Sequence, residues 1–162
     1  MVTRRAIVVC CCLILAFLAP GSPAVAGKDE PAPIVVKEAH YGEILFYFYQ
    51  EDYFPAIVRV LAAQEQGQLE QHAAEAELLK GGLYLSYGHH LEAADIFERL
   101  LADNVNPEIR DRTWFFLAKI WRQRGYLDKA QQALDNIGDG LPEDIEREAT
   151  MLQAQLLIDG GN

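Results

Sequence analysis

The most constraining feature of this chain is a pattern of small and aromatic residues that recurs every 37 residues. In the stretch Glu75–Leu101, the pattern consists of Gly81, Tyr84, Gly88, Ala93 and Phe97. The spacing predicts two helices joined at Gly88, because residues three or four apart lie on one helix face. The small residues let the two backbones approach each other, and the aromatic rings fill the space beside them.

The same pattern is present on both sides of this stretch. The downstream copy consists of Ala118, Trp121, Gly125, Ala130 and Leu134. The upstream copy is degenerate, because it keeps Tyr47, Ala56 and Val60 but has Glu51 where glycine is expected. One helical hairpin cannot bury its own apolar face, whereas stacked hairpins bury a continuous core. The repeat therefore predicts an all-α array of helical hairpins, with seven helices and no sheet.

These residues resemble the tetratricopeptide repeat (TPR) family, whose repeat has large, small and aromatic residues at similar offsets. The resemblance implies a solenoid of about three helix pairs, over about 37–70, 74–107 and 111–144. A terminal helix at 142–159 would cap the stack. The resemblance assigns the repeat-core positions to Gly81, Tyr84, Gly88, Ala93, Phe97, Trp114, Ala118, Trp121, Gly125 and Ala130.

Capping and stop signals predict where the helices begin and end. The predicted helices span about 34–50, 53–66, 71–87, 91–102, 107–124, 127–137 and 142–159. Asn106 followed by Pro107 is a strong start signal, because asparagine caps a first turn and proline fits its first position. His40 stands where the repeat requires a large core residue, so we expect its ring to be packed or half-buried.

Residues 1–26 have the order of regions expected of a secretory signal peptide. Arg4 and Arg5 precede the apolar run Ala6–Ala19, and small residues allow cleavage after Ala26. An uncleaved anchor helix is the alternative, but the run of about 14 residues is shorter than the roughly 17–25 needed to span a bilayer. We therefore expect an exported bacterial protein, periplasmic or secreted, with no membrane span after cleavage. Residues 27–36 would form an extended linker and 37–162 the solenoid domain.

All three cysteines lie in the apolar run of the predicted signal peptide. They are Cys10, Cys11 and Cys12, and Val9 stands where a lipoprotein signal needs a small residue. We therefore expect no lipid anchor. The mature chain would contain no thiol, disulfide or Cys-ligated metal.

The mature chain is strongly acidic. The full chain has 14 basic and 24 acidic residues, and removal of Arg4 and Arg5 leaves 12 basic residues and a net charge of about −12. Such a surface repels nucleic acid and anionic lipid headgroups. We therefore expect no nucleic-acid partner, and a charged partner would have to meet local basic patches or be basic itself.

The sequence contains no recognisable catalytic or cofactor motif. It has no nucleophile elbow, phosphate loop or dinucleotide fingerprint. The adjacent histidines His89 and His90 lack the spacing of zinc ligands. We therefore expect no enzyme activity, no metal and no cofactor.

The TPR resemblance implies a concave groove in which family members commonly bind a peptide or a partner helix. The groove positions it assigns are Tyr41, Leu45, Phe48, Tyr49, Leu78, Leu85, Arg112, Phe115, Lys119 and Arg122. Arg112, Lys119 and Arg122 share one helical stripe, which predicts a basic patch suited to a partner with acidic groups. Alternatively, the aromatic residues belong to the core and the basic residues offset neighbouring acids such as Glu108 and Asp111.

The sequence thus predicts a non-catalytic protein-interaction module of the cell envelope. Its partner would be another protein, which contributes a peptide or a helix to the groove. Two alternatives remain open: a structural subunit that associates with itself through the ends of the solenoid, and a protein that binds glycans or envelope polysaccharide. The resemblance concerns the fold, so it does not identify the partner.

Overall fold

A computed structural model describes residues 35–161, which contain seven α-helices and no strand. The helices are α1 (Ala39–Tyr49), α2 (Tyr53–Glu65), α3 (Ala73–Ser86), α4 (His90–Ala102), α5 (Pro107–Gln123), α6 (Leu127–Asp135) and α7 (Glu143–Asp159). A short 3₁₀ helix, Glu70–His72, precedes α3. Helices α1–α2, α3–α4 and α5–α6 pack as consecutive hairpins, and α7 packs on the third. The predicted all-α array of helical hairpins is confirmed. The predicted signal peptide and most of the predicted linker lie outside the described residues.

The first helix begins later than the sequence predicts, because its N-terminal neighbours form hydrogen bonds elsewhere. The backbone N–H of Lys37 donates to Nε2 of His72 at 3.0 Å, and Glu38 Oε1 accepts from the backbone N–H of Gln71 at 3.2 Å. These bonds hold extended chain against the start of the second hairpin. The expectation for His40 was wrong, since His40 is exposed and His72 is the buried histidine.

Left-handed residues join the two helices of each hairpin. Glu51, Gly88 and Gly125 lie 37 residues apart and have φ of 59°, 79° and 79°. Glycine adopts this conformation readily, whereas a side chain makes it strained. The first hairpin therefore keeps the geometry of the other two although it lacks the glycine.

Replacing Glu51 with glycine is expected to raise the free energy of unfolding by about 0.5–1 kcal/mol. The change removes left-handed strain of about 1–2 kcal/mol, offset in part by the greater freedom of glycine in the unfolded chain. Denaturant unfolding measures the difference. The matched control is Gly88→Ala, which should lower stability by about 1 kcal/mol. A loss of stability in Glu51→Gly would mean that the glutamate side chain stabilises the joint.

The repeat-core residues occupy two kinds of environment. Ala93, Phe97, Ala118 and Ala130 are completely buried, and Gly81 is buried against the Phe97 ring. Tyr84, Trp114 and Trp121 are half-buried, whereas Gly88 and Gly125 are exposed at the joints. Small residues therefore lie where two helices touch, and the larger aromatic residues border these contacts.

Candidate functional site

The first helices of the three hairpins contribute to one pocket, the α1–α3–α5 pocket, with a volume of about 160 Å³. Six of the ten predicted groove residues line it: Tyr41, Leu45, Phe48, Tyr49, Leu78 and Arg112. Glu75, Glu108 and Phe116 line it as well. The pocket thus combines apolar side chains with charges of both signs.

Apolar side chains form the floor and one edge of the α1–α3–α5 pocket. Tyr41, Leu45 and Leu78 are buried, whereas Tyr49 leaves 66% of its surface exposed. The half-buried ring of Phe48 meets the Tyr49 ring at a steep angle, with centroids 5.5 Å apart. An exposed aromatic ring beside buried apolar groups can anchor an incoming apolar side chain.

Tyr41 is a neutral phenol within this pocket. Its ring stacks on His72, with centroids 4.3 Å apart. Burial, with a smaller contribution from the negative charge of Glu75, raises the pKa of the Tyr41 phenol to about 12, and Arg112 opposes this rise. The phenol is protonated at neutral pH. It can therefore form hydrogen bonds, but it does not act as an acid or a base there.

Arg112 is the basic side chain of the pocket. Its Nη1 lies 3.5 Å from Oε1 of Glu108, which is a long contact for a charged pair. Its buried Nε has no hydrogen-bond partner among residues 35–161. The Arg112 side chain keeps about a third of its surface exposed, so it can still receive a carboxylate from outside.

Lys119 and Arg122, the other two members of the predicted basic patch, are paired with acids of α7. Lys119 Nζ lies 3.3 Å from Glu148 Oε2, and Arg122 Nε donates to Asp159 Oδ2 at 2.8 Å. The patch is therefore not an unopposed positive surface. The alternative interpretation, in which these cations offset acids, describes the patch better. The acids that pair with Lys119 and Arg122 lie on α7, whereas Arg112 contacts Glu108 of its own helix.

Two of the predicted groove residues belong to the core instead. Phe115 is almost completely buried beneath Lys119, whose Nζ lies 5.1 Å from the ring centroid. Leu85 is half-buried and packs against the core of the second and third hairpins. Phe116, the neighbour of Phe115, lines the pocket instead. Adjacent residues of a helix point about 100° apart, so an error of one residue in the repeat alignment exchanges them.

The pairing of Lys119 and Arg122 with α7 was missed because the partners are distant in sequence. Glu148 and Asp159 are 29 and 37 residues away from the cations they contact. No short-range spacing in the sequence relates these acids to the cations. The packing of α7 on α5 brings them together.

The described residues show neither a metal cluster nor a membrane-spanning helix. No three His, Cys, Asp or Glu side chains converge within 35–161 in a way that could hold a metal ion. In the same range, no helix is both long enough and apolar enough to cross a bilayer.

Comparison with known proteins gives no match. No protein-family model matches the chain, and no curated protein or solved structure is significantly similar to it.

Proposed function

We propose that this protein is a non-catalytic, TPR-like interaction module of the bacterial cell envelope. It holds a peptide or helix of another protein in the α1–α3–α5 pocket. The observation that supports this proposal is the position of the exposed Tyr49 ring and the partly exposed Arg112 side chain at one pocket that also has buried apolar side chains. An exposed aromatic ring and an arginine are the side chains most often found to dominate protein–protein binding energy.

The charges of the pocket define the chemistry of the partner. Arg112 favours one carboxylate, from an acidic side chain or a chain terminus. Glu75 and Glu108 line the same pocket and repel a uniformly acidic segment. The best partner is therefore a segment with an aromatic or large aliphatic residue next to a single carboxylate. The cations of α5 that are paired with α7 contribute less.

A random peptide library displayed on phage provides the test. Selection on the protein should enrich peptides with an apolar anchor near a carboxylate. Tyr49→Ala and Arg112→Gln should each weaken binding of a selected peptide by about tenfold or more, which corresponds to about 1.4 kcal/mol. Fluorescence anisotropy of labelled peptides measures the affinity, and circular dichroism verifies that the variants remain helical.

Matched variants outside the pocket serve as controls. Tyr87→Ala removes an aromatic residue exposed at the end of α3, and Lys119→Gln removes a cation paired with α7. Both should bind the selected peptides within about twofold of the unchanged protein, since surface changes outside a binding site have small effects. Peptides that bind the Tyr49 and Arg112 variants as tightly as the unchanged protein would refute the assignment of this pocket.

A further inference from the structure

Helix α7 occupies the position of a first helix, but no second helix covers it within residues 35–161. A shift of 36 or 37 residues aligns Gly81 of α3, Ala118 of α5 and Ala154 of α7. Gly81 lies against Phe97 of the following helix, and Ala118 is completely buried. Ala154, at the equivalent position, is exposed. The small residue that is buried in the second and third hairpins is therefore exposed to solvent in α7.

Larger apolar residues surround this small residue. Met151, Leu157 and Ile158 leave 62%, 49% and 74% of their surfaces exposed. Together with Ala154 they form the α7 patch, which lies opposite the buried residues Leu152 and Leu156 on the same helix. A helix that only closes an array has a polar outer face. An apolar outer face instead indicates a contact surface.

The N-terminal half of α7 is acidic. Its first turn contains Glu143, Asp144 and Glu146, whose charges suit the positive end of the helix dipole. Glu143 pairs with Arg147. Asp144 and Glu146 make no ion pair within the part of the chain that the structure describes. An incoming helix therefore meets an apolar stripe that is bordered at one end by two acids without an ion pair among residues 35–161.

We propose that the α7 patch is a docking surface for a basic amphipathic helix of another protein. The helix packs antiparallel to α7, as the second helix of each hairpin packs on the first. In this orientation its C-terminal turns lie beside the acids of α7, where the helix dipole and the charges both favour lysine and arginine. Its apolar stripe covers the patch in the helix-in-groove manner.

A second copy of the chain fits this surface less well. The chain has a formal net charge of −10, so two copies repel each other. The first turn of α7 would also meet an equally acidic molecule. The charge distribution thus favours a basic partner over self-association.

Two labelled synthetic peptides of identical composition provide the probe. One has leucine and alanine at helical spacing with flanking lysine and arginine, and the other is scrambled to break the apolar stripe. We expect the first to bind the protein about tenfold more tightly or better, because only it presents a continuous apolar face. Fluorescence anisotropy measures both affinities.

Protein variants locate the binding surface. The double variant Met151→Gln with Ile158→Gln changes only exposed side chains and should weaken binding of the striped peptide about tenfold or more. Val58→Gln, which changes an apolar residue of α2 with 48% of its surface exposed, is the control and should stay within about twofold. Tyr49→Ala should also leave the affinity for the striped peptide unchanged. A failure of the α7 proposal can therefore be distinguished from a failure of the proposal for the α1–α3–α5 pocket.

Neutralisation of the acids tests the charge of the partner. Asp144→Asn with Glu146→Gln should weaken the striped peptide about three- to tenfold and make its affinity less dependent on salt. Equal binding of the striped and scrambled peptides would overturn the proposal, as would unchanged binding to the double glutamine variant. Sedimentation that shows a dimer of the unchanged protein, lost in that variant, would assign the patch to a second copy and also overturn it.

Discussion

Replacing Phe97 with alanine is expected to lower the free energy of unfolding by about 3–5 kcal/mol. The Phe97 ring is completely buried in α4 and lies against Gly81 of α3. It also stacks on Phe116 of α5, with centroids 5.3 Å apart. Loss of the ring opens a cavity where the second and third hairpins meet, and the packed helices cannot close it fully. Denaturant unfolding followed by circular dichroism measures the change.

The contact between Gly81 and Phe97 has a counterpart of different side-chain sizes in the third hairpin. A shift of 37 residues converts it into Ala118 and Leu134 in the third hairpin. Alanine replaces glycine in the third hairpin, and the smaller leucine replaces phenylalanine opposite it. Close packing explains this exchange, because the combined volume has to fill one inter-helix space.

The control for Phe97→Ala introduces the residue pair of the third hairpin at the equivalent positions of the second. The double variant Gly81→Ala with Phe97→Leu should lower the free energy of unfolding by less than about 2 kcal/mol, because volume-conserving changes are tolerated best. Gly81→Ala should lower the free energy of unfolding more in the presence of Phe97 than in the Phe97→Leu variant, because its new methyl group meets the intact ring. Additive losses would mean that the two hairpins do not share one packing register.

Local signals made most of the fold predictable from the sequence. Asn106 caps α5 as expected, since its Oδ1 accepts from the backbone N–H of Ile109 at 2.9 Å. Gly88 and Gly125 adopt the left-handed conformation that their positions in the repeat require. The start of α1 was not predictable in this way, because it depends on a bond between Lys37 and His72, which are 35 residues apart.

The candidate site was predictable only in part, for the same physical reason. Arg112 and the apolar residues of α1 line one pocket because repeat positions fix which helix face they occupy. Whether a cation on that face can bind a partner depends on whether acids of a different helix already pair with it. Lys119 and Arg122 are on the predicted stripe, but the packing of α7 pairs them with acids far along the chain. Helix periodicity contains no information about such pairs.

Asp111 has no charged counterpart at the equivalent position of the second repeat, where the chain has Ala74. The carboxylate is completely buried. Its Oδ2 accepts from the backbone N–H of Gly140 at 2.9 Å, and its Oδ1 accepts from Arg110 Nε at 3.0 Å. A Cβ at Gly140 would lie 2.8 Å from Oδ2, so only glycine lets the loop approach this closely. The carboxylate therefore fixes the loop that leads into α7.

Replacing Asp111 with alanine is expected to lower the free energy of unfolding by about 2–4 kcal/mol, because a buried charge-assisted hydrogen bond is lost and the Gly140 N–H loses its acceptor. Denaturant unfolding measures the loss. Asp111→Asn keeps an acceptor for Gly140 and should lose less. Asp95→Ala, at an exposed position of α4, is the matched control and should change stability by no more than about 0.5 kcal/mol. If Asp111→Ala is as stable as this control, the loop before α7 is held by its apolar contacts rather than by the carboxylate.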